Sequence, residues 1–123
     1  MKALLSLLVL AMLATSALAD GPIRHVVHFK FKSEAKAEQI ANLCKEFAAL
    51  PSKIKEIENF EAGTNNSPEG LDKGFKHCWI ISFKSAKDRD VYLKHPAHEE
   101  FVGIAKPIVE DVLVVDFTPE KKP

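Results

Sequence analysis

Cysteine is scarce in this chain: Cys44 and Cys78 are the only two in 123 residues, and no Cys-x-x-Cys spacing exists. A thiolate-type metal site is therefore excluded. Cys44 falls in a helix-like segment and Cys78 in a strand-like one. Both are expected as small buried hydrophobes, with a disulfide between them as the alternative. An excess of either charge is also missing, since 17 basic residues face 17 acidic ones. That balance gives no reason to expect a nucleic-acid or anionic-membrane partner. Tyrosine occurs once, at Tyr92. Gly70 and Gly74 do not make a phosphate loop, because no lysine and hydroxyl residue follow at the required spacing. The apolar run over residues 3–14 is about a dozen residues long, whereas a bilayer span needs roughly twenty.

That run has another explanation. Lys2 precedes it, and Ala17-Leu18-Ala19 follows as a small-residue cleavage site. The pattern predicts a signal peptide over residues 1–19, cut before Asp20, and an exported product, periplasmic or secreted, with no membrane attachment after cleavage. Taking 19 from 123 residues leaves 104, carrying 16 basic and 17 acidic side chains once Lys2 is gone. This is enough for one domain. Residues 20–22 and 120–123 read as short tails on a domain spanning 23–119.

Residues 23–32 alternate, with Ile23, His25, Val27, Phe29 and Phe31 on one face and Arg24, Val26, His28, Lys30 and Lys32 on the other, the period of a strand. Ser33 is the expected N-cap of a helix in which Ile40, Leu43, Cys44, Phe47 and Leu50 form the apolar stripe, and Pro51 marks its end. Residues 57–64 read as a second strand and 65–74 as a connection dense in turn formers. Residues 75–83 alternate again, placing Phe75, His77, Trp79, Ile81 and Phe83 together. Ser85 with Asp88 predicts a capped helix to about Leu93. Pro96 suits the first turn of another helix, capped by His95 and running to about Ala105. Residues 108–117 form a last strand, apolar on both faces and so expected to be covered on both.

The order strand, helix, strand, strand, helix pair, strand predicts an α+β fold, the ferredoxin-like βαββαβ antiparallel sheet with its first and third strands central and its helices on one face. The other face, with Val26, Cys78 and Ile80, then lacks a cover. A second copy is the simplest one, giving a homodimer through the sheet face with His28 at the interface.

Three stretches carry a family resemblance: residues 24–31 (Arg-His-Val-Val-His-Phe-Lys-Phe), residues 66–77 (Asn-Ser-Pro-Glu-Gly-Leu-Asp-Lys-Gly-Phe-Lys-His) and His95-Pro96-Ala97-His98. Asp116-Phe117-Thr118-Pro119 closes the set. On these the chain resembles the stress-responsive A/B barrel (Dabb) domain family across residues 23–119. The resemblance implies a dimeric α+β barrel in which two sheets pack face to face. It also implies a site, by similarity to a family enzyme that closes a polyketide chain by an aldol reaction without a cofactor. In that pattern His98 is the general base, Tyr92 polarises the reacting carbonyl, and His25 and His77 line the substrate pocket. The first helix here offers no tyrosine where that enzyme has one.

The residues themselves allow more than one function. Strand parity sets His25 and His77 on the helix-covered face, where each imidazole must find a partner or line a wet cavity. Pairing at strand midpoints would separate the two by on the order of 13 Å at about 3.3 Å per residue, giving an elongated pocket with His98 near one of them. The enzymatic reading is cofactor-independent acid-base chemistry on a small organic carbonyl compound. The competing reading is a non-catalytic ligand-binding or stress-protective dimer, in which His98 only bonds back to the preceding loop. A third, metal or haem handling, rests on fold analogy. His95 and His98 with Glu99 and Glu100 lack an established metal-ligand spacing, so no metal and no cofactor is expected.

Overall fold

The computed structural model describes residues 21–122; the expected signal peptide over residues 1–19 lies outside them. The elements are β1 (Ile23–Phe31), α1 (Ala37–Ala48), α2 (Leu50–Lys53), β2 (Asn59–Thr64), β3 (His77–Phe83), α3 (Ala86–Lys94), α4 (Pro96–Ala105) and β4 (Val109–Phe117). All strand pairs are antiparallel and the sheet order is β2-β3-β1-β4. This is the ferredoxin-like arrangement, with β1 and β3 in the centre. The register sets His25 opposite Ile81 and Phe29 opposite His77, as midpoint pairing requires.

The helices cover one face because β1 and β3 direct their large apolar side chains there. Ile23, Val27, Phe29, Trp79, Ile81 and Phe83 are all buried, as are Leu43 and Phe47 of α1 and Phe101 of α4. Phe47 is the hub, with ring centroids 4.3 Å from Phe101, 4.8 Å from Trp79 and 6.2 Å from Phe29. On the outer face Val26, His28, Cys78 and Ile80 are half-buried. Cys44 and Cys78 are unpaired and half-buried, and burial raises the pKa of both thiols.

Several boundaries differ from those expected. Ser33 does not cap α1; its hydroxyl bonds Glu34, and the helix begins three residues after that. Lys36 stands at the cap, where the Gln39 side chain accepts its backbone N–H at 2.9 Å, so an amide at the third helical position ends the turn that Ser33 only starts. Leu50 and Pro51 open the short helix α2 rather than closing α1, because proline in a first turn sacrifices no hydrogen bond. β2 and β3 each start two residues late. At Phe75 the backbone N–H is taken by the Asp72 carbonyl in a turn. The Asp72 carboxylate organises that loop, accepting from Lys76, Asn65 and the Gly74 backbone, and the lysine chiefly lowers its pKa.

Ser85 does cap α3, its hydroxyl accepting from the Asp88 N–H at 3.1 Å. Ser85→Ala should cost about 1 kcal/mol, read as a lower denaturant midpoint with an unchanged slope. His95 ends α3 and begins α4: its N–H reaches the Tyr92 carbonyl, and its ring Nδ1 accepts from the Ala97 N–H at 3.0 Å. Among the described residues, no helix is long and apolar enough to cross a membrane.

Candidate active site

A cavity of about 600 Å³ lies between the sheet and α3 and α4. Phe29, Phe47, Phe101, Ala105, Val109 and Val112 form an apolar end, while His25, Arg89, Tyr92, His98 and Asp116 bring polar groups to the other. Each polar residue has a local reason for its place. His25 is the second inward position after Ile23 on β1, and Tyr92 and His98 stand on either side of the His95 elbow.

His98 is half-buried, and its Nδ1 lies 3.1 Å from the Leu93 carbonyl oxygen. A carbonyl only accepts, so Nδ1 carries the hydrogen and the lone pair of the neutral ring is on Nε2. Burial is the main influence lowering the His98 pKa from 6.5, aided by the charge of His25 and opposed by the Leu93 bond and Glu99. The Tyr92 ring centroid is 4.5 Å from that of His98 and 5.8 Å from that of His25, so the three rings form one row. Burial raises the Tyr92 pKa well above its usual value, which keeps the phenol a proton donor.

His25 is 5% exposed and is held by Asp116, with Nδ1 at 2.7 Å from one carboxylate oxygen. The other oxygen accepts from Arg89 at 3.1 Å, and Arg89 also reaches Asp90 at 3.1 Å. The carboxylate accepts from Nδ1–H of His25. Asp116 and Arg89 were not singled out for the site from the sequence. Asp116 was legible in principle, since it breaks an apolar strand and pairs across β1–β4 with His25. Arg89 gave no such signal.

His77 stands elsewhere. It does not line this cavity; its ring packs 4.9 Å from Phe31 and 6.1 Å from Trp79. Its Nδ1 is buried without a hydrogen-bond partner among the described residues. Four residues of β1, two inward steps, separate His25 from Phe29, the partner of His77, so the structure brings together His25, Tyr92 and His98 and leaves His77 at the far end of the sheet. Burial lowers the His77 pKa from 6.5. A histidine that is harder to protonate when folded contributes stability that is full above the unfolded value. That stability is lost as pH falls from about 6.5 through the lowered folded value. His77→Phe should flatten this acid-side loss, seen by repeating denaturant titrations between pH 7 and 5.

Among the described residues, no three His, Cys, Asp or Glu side chains are grouped so as to hold a metal ion.

The family model described as Stress responsive A/B Barrel Domain matches residues 23–119. The chain is 36% identical over 101 residues to the stress-response A/B barrel domain-containing protein HS1 of Arabidopsis thaliana, covering 82% of this chain and 93% of that one. It is 26% identical over 99 residues to olivetolic acid cyclase of Cannabis sativa, covering 80% and 98%. Among solved structures, it is similar to that of At3g17210 from Arabidopsis thaliana, with a TM-score of 0.77, 33% identity and coverage of 82% and 98%. A Bacteroides fragilis protein described as dimeric and ferredoxin-like matches with a TM-score of 0.65, 26% identity and coverage of 80% and 96%.

Proposed function

The chain belongs to the stress-responsive A/B barrel domain family, and from that premise we propose that it is an exported homodimer whose cavities carry out cofactor-independent acid-base chemistry on a small organic carbonyl compound. The observation that carries this reading is the bond from His98 Nδ1 to the Leu93 carbonyl. It fixes the tautomer so that a neutral, accepting Nε2 belongs to a ring beside Tyr92 at an apolar cavity. A cyclase among the relatives and a solved dimer of the same fold support the chemistry and the assembly.

The reaction follows from these groups. Nε2 of His98 takes a proton from the carbon next to a carbonyl. The electron pair of that C–H bond moves to the carbonyl oxygen as an enolate, which the Tyr92 hydroxyl stabilises by hydrogen bonding. The enolate carbon can then attack a second carbonyl of the same molecule, forming a C–C bond, and the new alkoxide takes back a proton. His25, held by Asp116, orients the substrate oxygen. The lowered pKa of His98, chiefly from burial, favours the neutral form of the base. The acid limb of the rate profile should therefore inflect below 6.5, because protonation of Nε2 removes the base.

The direct test incubates the purified protein with a panel of 1,3-dicarbonyl compounds in D₂O and follows loss of the α-proton NMR signal. Exchange above the buffer rate that disappears in His98→Ala supports the reading. Binding without exchange would instead favour the non-catalytic ligand-binding dimer.

A further inference from the structure

β4 pairs only with β1, so among the described residues its other edge is free. Residues 112–115 are Val-Leu-Val-Val, with none of the lysine or proline that usually blunts an exposed edge. The register places Leu113, Val115 and Phe117 opposite His28, Val26 and Arg24, on the outer face. Val112 and Val114 fall opposite Phe29 and Val27, on the cavity face. Both sets are uncovered: Leu113, Val115 and Phe117 are 44%, 52% and 49% exposed, and Val112 and Val114 are 49% and 47%. The central strand is not, since Val27 and Phe29 are 4% and 5% exposed. The helices cover β1 and stop short of β4.

A second copy packed on the outer face covers Leu113, Val115 and Phe117. It leaves Val112 and Val114 bare, because they point to the opposite side of the strand. Leu93 of α3, also at this cavity, is 40% exposed. Between α3 and β4 the cavity is closed by the Arg89–Asp116 pair at its polar end and lacks a wall beside Val112 and Val114. A small ligand could touch these side chains, but it would not pair with the row of backbone N–H and C=O groups on the free edge. A polypeptide does both. A strand of a second copy laid along that edge would pair with these backbone groups and remove it as a free edge.

We infer that the second copy crosses the free edge of β4 and supplies the missing wall, so that each site is completed by its partner. This rests on the homodimer proposed above. The test compares thiol labelling of Val114→Cys, on the cavity face, with Val115→Cys, on the outer face, resolved by peptide mass spectrometry. Each is measured in the assembled protein and after dissociation by dilution or by Leu113→Asp, with circular dichroism as a check that the diluted or substituted chain remains folded. Crossing predicts that assembly slows both positions by at least about tenfold. Slowing at Val115→Cys with an unchanged rate at Val114→Cys overturns the inference and leaves the dimer standing. No slowing at either position, or a wild-type protein that sediments as a monomer, overturns both.

Discussion

His98→Ala should lower proton exchange on a 1,3-dicarbonyl substrate by about 10²–10⁴-fold, the range that a positioned general base contributes. The fold should survive, because His98 is half-buried and the core is built around Phe47, Trp79 and Ile81. A loss confined to turnover, with ligand affinity nearly unchanged, would mark removal of an interaction made only in the transition state. His98→Gln refines the result. Glutamine can still donate to the Leu93 carbonyl but cannot take up the proton, so it should be as inactive as alanine. If the glutamine variant exchanges at the wild-type rate, His98 is a structural anchor and the base lies elsewhere.

Phe47→Ala should have the largest effect on stability, about 3–5 kcal/mol, as for other buried phenylalanines truncated to alanine. Phe47 is 1% exposed and meets Phe29, Phe60, Trp79 and Phe101. Those partners come from every layer of the domain, so no single neighbour can move in to refill the space. Against a total stability of roughly 5–15 kcal/mol, this is a large fraction. The measurement is a denaturant titration, in which the midpoint should fall while the slope holds. Because Phe47 also lines the cavity, Phe47→Leu offers a milder companion: a volume nearer the original should recover most of the stability while reshaping the apolar end. A wild-type midpoint in the alanine variant would contradict the packing described.

The fold was readable because period-two alternation in β1 and β3 is unambiguous and the capping signals at Ser85 and His95 are local. What was misplaced lies where chemistry two or three residues away competes: Gln39 captures the N–H that Ser33 was expected to serve, and Pro51 begins a turn instead of merely ending one. The position of His25 followed from parity. Its partner Asp116 did not, because 91 residues separate the pair and only the β1–β4 register joins them. For His98, the bond back to the preceding loop does not take it out of the cavity. It bonds back to Leu93 through one nitrogen and lines the cavity, since an imidazole has two distinct nitrogens.

The elbow at His95 also divides the site by closure cost. Tyr92 and His98 are six residues apart on two short helices joined at one shared residue, so their mutual placement needs only a small loop to close. His25 meets Asp116 only after nearly the whole domain has been looped. Contacts of low sequence separation form fast and those of high separation wait for chain closure. The pairing of His98 with Tyr92 is therefore a local contact of low closure cost, whereas that of His25 with Asp116 requires the last strand to dock. A truncation before β4 would leave the His25 ring in the chain but remove Asp116, the carboxylate that holds it.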